Sequence, residues 1–251
     1  MKEILDILKY NSEPYKDILA MYENGNLEEV CAPLFDLSFT EDGHKNNFLH
    51  TLTVLKNVCD KGFSYEMKIV ATFHDIGKPT TKRKIGERDW TFHNHEAVGA
   101  KMFVKLCETY NITDIDIDYI YKMILYHGRV KMHRDVSDSA IRRLSNDVGQ
   151  DLIFDIIDFS KCDLTTRNKD KFERINSGYD TIRQRIVDVR KMDEYDAWRS
   201  PLTGHVIMNI FNNNIDGRKI GEIKRSYDNI LRNEEMTLED VIIEIQKKYL
   251  G

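Results

Sequence analysis

The chain has 251 residues, 41% hydrophobic and 31% charged, which is long enough for a buried core and excludes a disordered or fibrous chain. Its net charge of −5 excludes a global positive field for nucleic acid, so any anion site must be local. The N-terminus, MKEILDILKY, mixes charges among apolar residues, unlike a signal peptide, and no apolar run approaches membrane-span length. Cys31, Cys59, Cys107 and Cys162 form no CxxC pair and read as reduced, mostly buried thiols of a cytoplasmic protein.

Taken in order, the periodicity is helical nearly throughout. Residues 1–30 read as two short helices, broken near Asn11–Pro14 and at Asn24-Gly25, and 31–46 as irregular around Pro33 and Asp42-Gly43. A helix over 47–60 carries an apolar stripe of Phe48, Leu52, Leu55 and Cys59, with His50 off that stripe. The next, over 65–76, ends in His74-Asp75, with Gly77 expected as its stop and Pro79 beyond it. Residues 79–92 break the period. A loop or short hairpin is expected there, ending in Trp90-Thr-Phe92, as the only β structure. Asn94 is placed to cap a helix over 95–110 with Val98, Met102 and Leu106 on one face. Ile117, Ile120, Ile124 and His127 share a helical face, which puts His127 at the inner end of that helix. Ser137 caps 138–146, and a helix over 150–164 continues its stripe of Leu152, Ile156 and Phe159 into Asp163. A long amphipathic helix covers 170–192, and three short ones cover 203–212, 217–232 and 238–249, the last opened by a Thr237/Asp240 capping box.

An aspartate that continues an apolar face turns inward, and a buried carboxylate needs a partner. His50, His74, Asp75, His95, His127 and Asp163 fall at helix ends or on inward stripes, which converge in a helical bundle. Imidazole suits Mn, Fe, Co, Ni or Zn, and carboxylate favours harder ions. His50, His74, Asp75 and Asp163 suffice for one ion; His95 and His127 would add a second ion or position a phosphate. His44, His93, His133 and His205 are assigned no site role, although His93 lies only two residues from His95. Lys78, Lys82, Arg83, Arg129, Lys131, Arg134, Arg142, Arg143 and Arg167 collect near these segments, either as solvated helix faces or as partners of a phosphate-rich substrate. The Asp114/Asp116/Asp118 pattern mimics a polymerase magnesium site but lies where a helix N-terminus favours acids.

His50-Thr-Leu, His74-Asp-Ile-Gly-Lys-Pro-Thr-Thr-Lys82 and Trp90-Thr-Phe-His-Asn-His-Glu-Ala-Val-Gly-Ala100 resemble the HD phosphohydrolase superfamily, an all-helical fold with a metal-binding His-Asp pair. With Asp138-Ser-Ala-Ile-Arg-Arg-Leu144, Asp163-Leu-Thr-Thr-Arg-Asn168, Ser200-Pro-Leu-Thr-Gly204 and Gly217-Arg-Lys-Ile-Gly-Glu-Ile-Lys224, they are most similar to the HD region and helical tail of bacterial tRNA nucleotidyltransferases, the CCA-adding enzymes. Those enzymes open with a Gly-Ser loop and paired aspartates for nucleotide transfer. No such head precedes the motifs here.

The resemblance implies an all-α HD bundle, with an N-terminal helical segment at 1–44, an HD domain at 45–192 and a helical tail at 193–251. It implies a stand-alone, metal-dependent phosphohydrolase with one or two divalent ions (Mn, Co, Ni, Mg or Fe). The substrate would be a nucleotide or an RNA 3′ end, 2′,3′-cyclic phosphates included. The ligands carried over are His50, His74, Asp75 and Asp163, with His95 and His127 as second-metal or phosphate positions. His74, Asp75 and Lys78 would serve catalysis, and Lys78, Arg83, Arg129, Arg143 and Arg167 would hold the substrate. The alternatives are a tRNA-binding module and a headless subunit of a split nucleotidyltransferase. No membrane partner is expected, and the oligomeric state is open.

Overall fold

Ile4, Leu5 and Leu8 fall on one face of the first helix, and burying that face against its neighbours starts the core. A computed structural model describes residues 1–42, 45–85, 89–130 and 137–251; the expectations for Asp42-Gly43 at its glycine, His44, Lys131, His133 and Arg134 lie outside them. Helices α1 (Lys2–Tyr10), α2 (Pro14–Glu23) and α3 (Leu27–Asp36) are followed by a 3-10 turn at Leu37–Phe39 and a two-residue strand pair, β1 (Glu41–Asp42) with β2 (Lys45–Asn46). Residues 31–46 are therefore not irregular, as Pro33 suggested. The helix breaks at Cys31 (φ −156°, ψ 79°), and Pro33 falls in the first turn of the resumed segment, where its missing N–H leaves no gap.

Helices α4 (Asn47–Asp60), α5 (Tyr65–Phe73) and the short α6 (Lys78–Thr81) lead to an antiparallel pair, β3 (Arg83–Ile85) with β4 (Asp89–Thr91). The hairpin is where the broken period placed it, and β1–β2 is a second pair the sequence did not signal. Next come α7 (His95–Thr109), α8 (Ile117–Tyr126), α9 (Asp138–Val148), α10 (Leu152–Asp163) and the long α11 (Lys169–Ala197). Asn46, Ser64, Asp116 and Ser137 accept capping bonds at the starts of α4, α5, α8 and α9, so Asp116 serves a helix end. Asn94 does not cap α7 with its side chain; it takes the left-handed conformation (φ 68°) instead. The buried face of α7 is Gly99, Ala100, Phe103 and Cys107, one position on from the expected Val98, Met102 and Leu106, which are half-buried.

Residues 1–189 form one unit and 190–251 another, with the division inside α11. In the first, the helices of residues 1–36 share a single apolar core with α4, α5, α7, α8, α10 and α11. In the second, α12 (Gly204–Ile210), α13 (Gly217–Arg232) and α14 (Leu238–Tyr249) enclose a core of Leu202, Ile207, Ile223, Tyr227, Leu231, Val241 and Ile245. The Thr237/Asp240 capping box opens α14. All four cysteines are free, three of them buried. The chain is thus an all-α helical bundle with a small helical C-terminal unit. Among the described residues, no helix is long and apolar enough to cross a membrane.

Candidate metal centre

Five helices of the first unit bring six His and Asp side chains together; five of them line a cavity of about 530 Å³, and the sixth, His74, is buried against Asp75. His50 comes from the first turns of α4, His74 from the C-cap of α5 and Asp75 from the turn that follows. His95 opens α7, His127 caps the C-terminus of α8 and Asp163 ends α10. Helix ends suit this task because the chain leaves its own hydrogen-bond ladder there.

The six side chains form two groups of three. In the first, His50 Nε2 lies 2.8 Å and His74 Nε2 3.6 Å from Asp163 Oδ1. In the second, His95 Nε2 lies 3.3 Å and His127 Nε2 3.8 Å from Asp75 Oδ1, with 3.4 Å between the two nitrogens. Asp75 belongs to both sets, for its Oδ2 lies 3.2 Å from His74 Nε2 and 3.9 Å from His50 Nε2.

Three imidazoles are oriented alike. His74, His95 and His127 each donate Nδ1–H to the carbonyl three residues earlier, on Ala71 (2.9 Å), Phe92 (2.9 Å) and Ile124 (2.7 Å). That bond fixes the tautomer and leaves each Nε2 lone pair turned toward Asp75. The His74 Nε2, Asp75 Oδ2 and Asp163 Oδ1 atoms are buried without an aligned hydrogen bond, although they crowd together. Lys78 Nζ sits 2.8 Å from Asp75 Oδ2, an ion pair by distance but off hydrogen-bond alignment. Orphaned buried acceptors are costly, and a divalent cation is the partner this donor set of imidazole and carboxylate fits. Each trio offers three donor atoms within 4.8 Å of one another.

Charge follows the geometry. Burial is the largest influence on His74 and opposes its protonation, yet Asp75 and Asp163 hold its pKa above the ordinary value. Burial pushes Asp75 up, but His74, His95 and Lys78 outweigh it and hold the carboxyl well below its usual range. Burial, then the charge of His74, pulls His127 down to about 4. Asp163 lies at about 2, burial being outweighed by His50 and His74.

Gly77 is not the helix stop expected of it. Its backbone is right-handed (φ −77°), and the chain runs straight into α6 with Pro79 in its first turn. The glycine serves close approach instead. A Cβ there would lie 2.1 Å from the His95 carbonyl oxygen and 2.6 Å from Gly99 N, so its absence lets the His74-Asp75 turn seat against α7.

The expected cations divide. Lys78 lines the cavity, buried, facing Asp75 and 3.3 Å from Asn47 Oδ1. Arg167 is exposed beside His50. Arg83 does not reach the cavity; its guanidinium donates to the Lys82 and Thr80 carbonyls. Arg129 pairs with Asp147 at 3.5 Å and lines a neighbouring apolar cavity instead, and Arg143 is exposed on α9. His95, not His93, faces Asp75, while His93 is exposed at the rim. Sequence reasoning missed Lys45, Asn47, Trp90 and Glu96 in the lining. Asn47 had a signal, a polar residue one turn before His50 on the same face of α4. Glu96 packs by Gly128, where a Cβ would come 2.9 Å from its Oε1.

A helical bundle with a buried His/Asp donor set at converging helix ends defines a class of metal-binding helical proteins. The HD domain family model matches residues 47–198, and the chain belongs to that family, whose members are metal-dependent hydrolases. No curated protein matches the chain.

Proposed function

We propose that the protein is a metal-dependent phosphohydrolase acting on a nucleotide or a terminal RNA phosphate, 2′,3′-cyclic phosphates included. The observation that carries it is Asp75, with one carboxylate oxygen toward the His50/His74 pair and the other toward the His95/His127 pair. A carboxylate so placed suits two ions side by side. Divalent ions bound there would activate water and offset charge on the phosphoryl oxygens. The chain's own part is to hold the ligands. Backbone carbonyls fix three imidazoles, Gly77 fixes the His74-Asp75 turn against α7, and Lys78 balances Asp75 from within the wall. The cavity, about 530 Å³, accommodates a nucleotide-sized ligand. An RNA 3′ end is included among the substrates only on the resemblance of the motif string to HD regions of tRNA nucleotidyltransferases, which no comparison supports.

The test is turnover of 2′,3′-cyclic AMP, AMP isomers, dNTPs and an aryl phosphodiester with Mg, Mn, Co and Ni, beside His74→Ala/Asp75→Ala. Metal-dependent turnover that disappears in the double variant is expected. Full activity in a folded double variant, or no turnover with any metal, would sink the assignment.

A further inference from the structure

A second groove, about 590 Å³, shares Lys45 and His50 with the metal-site cavity. Its other walls come from α4 and from the stretch just after α10, including Thr165, Thr166 and Arg167. Its described lining contains no carboxylate, in a chain whose net charge is −5. Lys45 and Arg167 are both exposed, and among the described residues neither has a carboxylate within ion-pair distance. Three of the other described cations are committed: Lys78 to Asp75, Arg129 to Asp147 and Arg83 to backbone carbonyls.

Thr165 joins the groove to the metal centre. Its Oγ1 lies 2.8 Å from Lys45 Nζ, which donates to it, and 3.1 Å from His50 Nδ1. The His50 tautomer that frees Nε2 for an ion carries its proton on Nδ1 and donates to the same oxygen. Both acceptor sites of Thr165 are then filled, and its own proton is left to donate to a ligand. One hydroxyl donor, one ammonium and one guanidinium thus line a single groove that shares Lys45 and His50 with the metal-site cavity.

We propose that this groove binds a second phosphate of the substrate, with Lys45 and Arg167 as its cations, alongside the phosphate at the metal centre. The proposal rests on the phosphohydrolase assignment and narrows it to substrates with at least two phosphates. Two sources share that chemistry: a mononucleotide with two separate phosphates, and an RNA end whose internucleotide phosphate lies next to a terminal one.

Calorimetric titration of the full chain with AMP, adenosine 3′,5′-bisphosphate and the dinucleotide ApAp, which carries a 3′-terminal phosphate, tests it without relying on turnover. The wild type should bind at least one two-phosphate probe about tenfold or more tighter than AMP, as two added charge-assisted contacts suggest. That preference should shrink with added salt. In Lys45→Ala/Arg167→Gln the preference should fall to about twofold or less, and Lys45→Arg should keep most of it. Preference for the bisphosphate identifies a mononucleotide, and preference for ApAp identifies an RNA end. A wild type that does not discriminate, or a folded double variant that discriminates as well as the wild type, overturns the proposal. The single Arg167→Gln variant gives the same readout if the double one does not fold. Absence of hydrolysis on any substrate would count against the phosphohydrolase assignment, while the binding preference still reports on the groove.

Discussion

Replacing Gly77 by alanine should damage the metal centre from outside its ligand set. The backbone at Gly77 is ordinary for alanine (φ −77°), so the substitution introduces no dihedral strain. The damage comes from contact. The new methyl would lie 2.1 Å from the His95 carbonyl oxygen and 2.6 Å from Gly99 N, backbone atoms that cannot rotate away. Relief requires the His74-Asp75 turn and the start of α7 to move about 1 Å apart. Over-packing of this kind costs about 3 kcal/mol, and in a unit of this size that lowers Tm by roughly 6–12 °C. Because Asp75 Oδ1 and His95 Nε2 face each other across that seam at 3.3 Å, the same displacement opens the second trio. A ~1 Å error in such a constellation lowers turnover about 100-fold. Gly99→Ala is the control, since its methyl would meet Gly77 N at 3.2 Å and needs a far smaller adjustment. Thermal unfolding and metal content by mass spectrometry give the answer. Gly77→Ala with a wild-type Tm and full metal content would refute the close-approach reasoning.

Metal stoichiometry separates the two carboxylates. Asp163→Asn should lose the ion of the His50/His74 trio alone, whereas Asp75→Asn should lose both, and equal losses in native mass spectra would argue against a bridge. Lys78→Met removes the cation beside a buried carboxylate, so chelator-treated protein should lose about 3–5 kcal/mol in urea unfolding, and metal-loaded protein much less. An equal loss in both states would mean that the ion and Lys78 do not share Asp75. His127 sets a pH dependence in the chelated protein. Its folded pKa of about 4 lies below the unfolded value, so the unfolded chain takes up the proton first as pH falls. Its contribution is therefore present above about pH 6.5 and lost toward pH 4, by up to about 3 kcal/mol. His74, held above its ordinary value, works oppositely and contributes most below about pH 6.5. A His127→Gln variant should lose the His127 component, and an unchanged profile between pH 7 and 4 would contradict the burial argument.

The helices were readable because their apolar period is strong and their caps are chemical. Ser137 and Thr237 announce their helices directly. His127 and Asp163 were readable for the same reason, each continuing an apolar face to a helix end. Pro33 misled because a proline stops a helix only from its interior, and the break at Cys31 puts it in a new first turn. The face of α7 was offset because glycine and alanine at 99 and 100 carry little hydrophobic signal, yet both are buried and Gly99 packs against Gly77. Lys45 was invisible as a groove residue because it reaches His50 only through Thr165, 120 residues along the chain. Arg129 shows the reverse limit, for nothing local to it reveals Asp147 as its partner.

The Nδ1–carbonyl bonds of His74 and His127 would tie the lifetime of a bound ion to the opening of two buried helix ends. Each ring is anchored to the final turn of its own helix, on Ala71 in α5 and Ile124 in α8. Val70, Ala71 and Phe73 in the one turn and Met123 and Ile124 in the other are fully buried, so neither ring can swing away without disturbing the core. Escape of an ion by that route would require an opening close in free energy to complete unfolding. The amides of those two turns should accordingly be among the last to exchange with deuterated solvent.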